Sequence, residues 1–238
     1  MSQCCHHHLD DDQNMKKLCI SIVPIFNHLQ YEEMLEIVKA SQNKMYKKGE
    51  MVFRADAPSE HLYIVHKGQV KIYRLAESGK EQLIRIMEPG DFMGELALFT
   101  NESLTSYAEA ISDTEICAIH KSDMREMLLS NPSISLKILE VFSKRLNDAE
   151  KNIESFSSQD SEQRLANYLI ELASVEPGQL PNVPLEITLP ISKKDLASYL
   201  GITRETLSRR LSSLQEQGII KQTGQRKITI LDFDSLSY

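Results

Sequence analysis

Arg204, Glu205, Ser208, Arg209 and Ser212 recur at the spacing that puts them on one side of a helix. Long, forked or small polar side chains in that array suit the edges of bases in a major groove. A carboxylate accepts from cytosine N4, and a guanidinium forks onto guanine O6 and N7. Glu205 and Arg209 are therefore candidate readers of a G·C-containing step, with Arg204 and Ser208 beside them. Arg210, Lys193 and Lys194 are candidates for phosphate contacts, which position a protein on the duplex without specifying sequence.

Such an array works only if its helix is held by its other side. Leu207, Leu211 and Leu214, spaced four and three, form that buried stripe. Thr203 is the expected N-cap. Before it, Ser192 caps a shorter helix with Asp195 as its capping-box partner, and Leu196, Ala197 and Leu200 form its apolar face. Gly201 stands where the first helix must stop and reverse. After the second helix, Gly218 to Leu231 gives two β-rich runs around a Gly turn. Together these predict a helix-turn-helix followed by a wing, the second helix entering the groove.

The chain has 238 residues, 41% hydrophobic and 26% charged, which allows one large or two modest globular domains. No apolar run approaches the roughly 20 residues of a membrane helix, and no signal peptide is visible, so a cytoplasmic location is expected. The net charge of −7 by itself argues against nucleic acid. Its distribution reverses that. Between Ser192 and Lys227 eight Lys/Arg face three acids, a local +5 that leaves −12 on the remainder.

Residues 1–22 form a Cys/His-rich segment with too little repeated apolar character to fold alone. The domain from 23 to 130 opens with a short helix over Gln30–Ser41, using Leu29, Met34, Leu35, Ile37 and Val38. The period then falls to two. Lys48–Phe53, Leu62–Val65, Gly68–Tyr73 and Glu81–Ile86 read as strands, with Gly49, Gly68, Gly79 and Gly90 at turns. Pro89–Leu96 reads as a turn and a short helical piece, and Thr105–Ile119 as the last strands. This is the pattern of a small antiparallel roll. Over 131–158, Pro132 starts a long helix whose stripe of Ile138, Phe142, Leu146, Ala149, Ile153 and Phe156 predicts a parallel pairing with its own copy. Val141, Arg145, Asp148 and Asn152 form a second, mixed face. Ser155–Ser161 reads as a polar hinge, and 159–238 as the DNA-binding domain, with a helix over Glu162–Val175 and a loop at Glu176–Pro181. The expected fold class is α+β: a double-stranded β-helix, or jelly-roll, sensor domain, a long dimerisation helix and a winged helix-turn-helix.

Cys4, Cys5, Cys19 and Cys117 are the four cysteines. In a cytosolic chain they point away from structural disulfides and leave metal binding, redox sensing or plain burial open. His61, His66 and His120 show no paired His-x-His of the kind a metal enzyme in a roll needs, and no nucleophile constellation is identifiable, so no enzymatic activity is expected.

Tyr63–Gly68, Pro89–Leu96 and Gly201–Arg209 resemble the Crp/Fnr family of transcription regulators, the likeness running from about Val23 to the end. The resemblance implies a homodimer on double-stranded DNA, an inverted repeat similar to TTGA/TGTGA half-sites, and RNA polymerase as a partner. Arg204 matches the cAMP-type branch, and Glu205, Ser208 and Arg209 match the Glu-x-x-Ser-Arg pattern of the Fnr type. Cyclic-nucleotide members hold phosphate with an Arg-Ser or Arg-Thr pair. Here Thr105 and Ser106 occupy those positions, which disfavours cAMP, although Glu95 matches the residue that takes a ribose. The Fnr branch implies a [4Fe-4S] cluster, with Cys4, Cys5, Cys19 and Cys117 as its candidate ligands. Adjacent Cys4 and Cys5 depart from the branch's spacing, so His6, His7 or His8 is an alternative ligand, and a thiol–disulfide switch or small-ligand gating without a cluster the alternative mechanism.

Overall fold

The computed structural model describes residues 19–58, 60–95, 99–100, 102–158, 160–173 and 183–236, without the side chains of Cys19 and residues 156–158. The segment 1–18, Leu96, Val175 and the loop Glu176–Pro181 lie outside the described residues. The chain divides into two compact units, the first ending at Arg145 and the second starting at Leu146.

The first unit contains two four-stranded antiparallel sheets. Strands β1 (Ser41–Tyr46), β8 (Thr114–His120), β3 (His61–Lys67) and β6 (Phe92–Met93) form one in that spatial order. Strands β2 (Met51–Phe53), β7 (Tyr107–Ala110), β4 (Val70–Leu75) and β5 (Glu81–Met87) form the other. Between them lies a core that includes Phe53, Val65, Val70, Met87, Leu104 and Ile116. The first sheet is covered on both faces. Leu62, Ile64, Cys117 and Ile119 point away from the roll and pack on Ile20, Phe26, Met34 and Ile37, together with Met124, Ile134 and Ile138. Two-sided burial explains why Ile116–Ile119 is a continuous apolar run. Each such fully buried side chain contributes roughly 1.5–3 kcal/mol.

Several elements differ from the sequence-based expectation. The first helix, α1 (Tyr31–Ala40), is preceded by a 3-10 turn at Cys19–Ile22, and Ser41 already opens β1. In the stretch expected to be a short helical piece, Phe92–Met93 instead pair with Tyr63 and Ile64 as β6. A ten-residue helix, α2 (Lys121–Ser130), precedes the long helix α3 (Pro132–Ser158). The expected hinge is shorter than Ser155–Ser161, because Ser155–Ser158 continue α3 and Asp160 caps α4 (Ser161–Leu172).

The stripe on α3 splits in two. Ile134 and Ile138 are buried in the first unit's own core. Leu139, Leu146 and Ile153, seven apart, are 59%, 62% and 69% exposed. That spacing is the single-position repeat of a heptad. Ile138 therefore belongs to the intramolecular face, and an a-type seam one residue further on is left outside. The start of α3 is tied to α1: Asn131 Nδ2 donates to Glu33 Oε1 at 2.7 Å.

On the outer face of the second sheet Lys71 is almost covered, with Nζ at 3.1 Å from both Glu81 and Glu109 and above the Tyr73 ring. Burial pushes its pKa down, but the hydrogen bonds to Glu109 and Glu81 outweigh that and hold it above the ordinary lysine value.

The second unit packs α4 against two short helices, α5 (Lys193–Tyr199) and α6 (Arg204–Glu216), and a three-stranded sheet in the order β10 (Ile220–Thr223), β11 (Lys227–Ile230), β9 (Leu185–Thr188). Among the described residues no helix is long and apolar enough to cross a membrane.

Gly68 makes the β3–β4 turn with φ +84°, and a Cβ there would stand 2.4 Å from the Asp113 carbonyl oxygen. The strain and the backbone clash act together. Gly68→Ala is expected to cost about 2 kcal/mol or more of stability, read as a lower urea midpoint for the full chain. An unchanged midpoint contradicts the assignment.

Candidate nucleic-acid interface

The interface is assembled by helix ends. Ser192 Oγ accepts from the Asp195 N–H and starts α5. At its far end the Ile202 N–H reaches the Ala197 carbonyl at 2.9 Å and the Gly201 N–H reaches Ser198 at 3.2 Å. This crossed pair, with Gly201 at φ +69°, is a Schellman stop that leads straight into the Thr203 cap of α6. Thr203 Oγ1 accepts from the Thr206 N–H at 3.1 Å. Leu196, Ala197, Leu200, Leu207, Leu211 and Leu214 are all buried, and the two helices pack on each other.

Burial of that stripe leaves Arg204, Glu205, Ser208, Arg209 and Ser212 exposed along the opposite side of α6. Glu205 lies in the first turn. Its own backbone N–H and the Thr203 hydroxyl, then Arg204 and Arg209, hold its carboxyl below the ordinary glutamate value, so it is ionised and acceptor-only.

The basic residues divide. Lys194 is exposed at the start of α5. Lys193 Nζ donates to Gln222 Oε1 on β10 at 2.7 Å and ties α5 to the wing. Arg210 does not join the exposed array. It flanks the buried stripe and turns onto α4, with Nη1 at 2.7 Å from Glu162 Oε2 and Nε at 3.1 Å from Ser161 Oγ. Arg210 thus bridges two helices. Its partner lies 48 residues away, so the sequence offered no signal for it. The wing turns at Gly224 and exposes Lys221, Gln225, Arg226 and Lys227, of which Lys227 pairs with Glu186 at 2.7 Å.

Of the thiols, Cys4 and Cys5 lie outside the described residues with His6, His7 and His8, and Cys19 opens the 3-10 turn. Cys117 sits on β8, 1% exposed, within the core shared with α1 and α3. Its Sγ–H donates to Asn43 Oδ1 at 3.1 Å. Among the described residues no three His, Cys, Asp or Glu side chains gather as a metal would require. Glu95 is held by Arg145 of α3, with Nη1 at 2.6 Å, and the same guanidinium donates to the Phe92 carbonyl.

Comparison with known proteins follows this division. A model described as a cyclic nucleotide-binding domain matches residues 43–131, and a Crp-like helix-turn-helix domain matches residues 163–238. The probable transcriptional regulator flp of Lacticaseibacillus casei is 32% identical over 93% of this chain and 98% of its own length. The anaerobic regulatory protein of Pasteurella multocida is 28% identical over 94% of this chain and 80% of its own. The solved structure of FixK2 from Bradyrhizobium japonicum superposes with a TM-score of 0.70 at 30% identity, covering 82% of this chain and 95% of that one. These domains and relatives are transcription regulators, not enzymes. The chain belongs to the Crp/Fnr family of DNA-binding transcription regulators.

Proposed function

We propose that the chain acts in the cytoplasm as a homodimer that reads an inverted repeat resembling TTGA/TGTGA, engages RNA polymerase and responds to oxygen or redox state. One observation carries the DNA reading: the Leu207–Leu211–Leu214 contact leaves Arg204, Glu205, Ser208 and Arg209 outward on one side of α6. Glu205 accepts from cytosine N4, Arg209 forks onto guanine, and Lys194 takes phosphate. Lys193, bonded to Gln222, positions the wing as it approaches the backbone. The dimer reading rests on the exposed seam of Leu139, Leu146 and Ile153. Two such helices side by side set the half-sites about 34 Å apart, one turn of duplex.

The redox reading is supported by relatives named as anaerobic regulatory proteins, from Pasteurella multocida and Haemophilus influenzae, each 28% identical over 94% of this chain. Soft thiolates are the donors an iron–sulfur cluster takes. Cys117 as it stands does not fit that role, because its sulfur is buried among apolar side chains and bonded to Asn43. The response is therefore assigned to Cys4, Cys5 and Cys19, with cluster and thiol–disulfide chemistry as two measurable forms.

Arg209→Ala should cost roughly 1–3 kcal/mol on the specific repeat and relax preference at its guanine, whereas Lys194→Ala should weaken specific and random DNA alike and flatten the salt dependence. Equal loss on both DNAs from Arg209→Ala contradicts base reading. Leu146→Glu places a charge in the seam, and light scattering should then give the monomer mass together with lost affinity for the palindrome. An unchanged dimer contradicts the seam. Anaerobic purification with iron and labile-sulfide analysis, beside DNA binding, tests the sensor. A brown chromophore bleached by air supports the cluster, and colourless protein whose affinity follows thiol oxidation supports the switch. DNA binding indifferent to both contradicts redox control.

A further inference from the structure

We propose that His61 and His120 together form an exchangeable site for a divalent transition-metal cation of the zinc or nickel type. The site needs neither the DNA reading nor the cysteines.

His61 opens β3 and His120 ends β8, and the strand register sets them directly opposite each other. The Lys121 N–H donates to the Glu60 carbonyl at 2.8 Å. That bond joins residues flanking the pair. The two histidines therefore face each other at a non-hydrogen-bonded position, where cross-strand side chains come closest. Their ring centroids are 5.3 Å apart, with the planes at 83°. An ion about 2.0–2.1 Å from a ring nitrogen stands about 3.2 Å from that ring's centroid, and two rings at the tetrahedral angle then have centroids about 5.2 Å apart. The backbone thus already holds the rings at the spacing of two imidazoles on one ion. Both residues are half-buried. Neither lines the cavity of about 190 Å³ within the roll, whose wall includes Phe92, Met93 and Glu95.

The nitrogens are open to a metal. Among the described residues neither ring nitrogen of His61 has a hydrogen-bond partner. Burial, then Lys44 and His120, hold its pKa below the ordinary histidine value against an opposing pull from Glu60, so at neutral pH the ring keeps a lone pair. On His120, Nδ1 is engaged by the start of α2, with Ser122 Oγ at 2.7 Å. Ser122 Oγ gives its one proton to Asp123 Oδ1 at 3.0 Å, so Nδ1–H donates to Oγ and the lone pair falls on Nε2. Such an outer shell fixes the tautomer of a ligating histidine. The Ser122 N–H, 3.2 Å from Nδ1, favours the opposite tautomer, and a bound ion selects between the two. A closed structural site takes four donors, and among the described residues no three gather. Two suffice for an ion that keeps water in its other positions and exchanges. Imidazole selects zinc, nickel or copper over magnesium or calcium. Because β8 ends and α2 begins here, the ion fastens the head of α2 to β3.

Metal titration of the full chain tests the pair. Cys4→Ser, Cys5→Ser, Cys19→Ser, His6→Ala, His7→Ala and His8→Ala are present throughout, which removes competing donors near the N-terminus. Zn2+ should shift the ring C–H NMR signals of His61 and His120 along one saturation curve, and excess Zn2+ should raise the urea midpoint. Ni2+ should broaden the same two signals, and Mg2+ should leave them unchanged. His61→Gln and His120→Asn, in which Asn keeps the helix cap, should each weaken zinc binding at least roughly tenfold. The double variant should lose little more, because a chelate is lost with its first donor. Ring signals that follow separate curves, additive losses, affinity unchanged in either variant, or a matching response to Mg2+ overturns the assignment. The curves are read on the unsubstituted pair, so poor folding of a variant still leaves the outcome decided.

Discussion

The shared burial of Leu196 on α5, Leu200 at its C-cap and Leu207, Leu211 and Leu214 on α6 is the constraint from which the DNA-binding unit follows. A helix as short as α6 has little stability of its own in water, so its rotation is set by what it buries. Once that stripe is inside, no freedom remains in which side chains face out. The Schellman stop at Gly201 and the Thr203 cap then fix where α6 begins, and with it the height of Glu205 and Arg209 above the surface. Arg210 continues the same logic. Lying beside the stripe, it bonds to Glu162 and fastens α6 to α4.

In the first unit the comparable constraint is the two-sided burial of β3 and β8. One face of these strands fills the roll, and the other receives α1, α2 and the start of α3. Cys117 is caught in that second layer, which gives it the environment of a small core residue. Arg145 is where the roll meets the long helix, since its guanidinium joins Glu95, the Phe92 carbonyl and the Phe92 ring. A basic residue on the mixed face of α3 thereby becomes a link to the wall of the roll's cavity.

Much of this was legible before any coordinates. Ser192, Gly201 and Thr203 marked the helix ends because capping chemistry is local, and the four–three spacing of leucines marked the buried side of α6. The strands around Gly68 were readable for the same reason. What escaped was set by distant partners. Strand β1 is nearly all polar in sequence and exists because β8 pairs with it, Ser41 to Ile119 through Tyr46 to Thr114. Helix α2 buries only Met124 and leaves Leu129 exposed, so its periodicity is faint. Strand β9 is read only against β11. Ile138 looked like part of the dimer stripe because a one-residue offset separates the intramolecular and outward faces of α3, and sequence spacing alone does not resolve it. The meetings of Arg74 with Thr105, Arg145 with Glu95 and Arg210 with Glu162 join residues far apart in the chain, which no local pattern announces.

The central claim is that the outward side of α6 lies in a major groove and touches guanine. Methylation interference on an inverted-repeat duplex tests it most directly, because N7-methylguanine blocks the acceptor that a forked arginine needs. The account predicts interference at one guanine in each half-site, the two positions a helical turn apart, with the signal lost in Arg209→Ala. Interference spread evenly along the duplex, or none while binding persists, would contradict it.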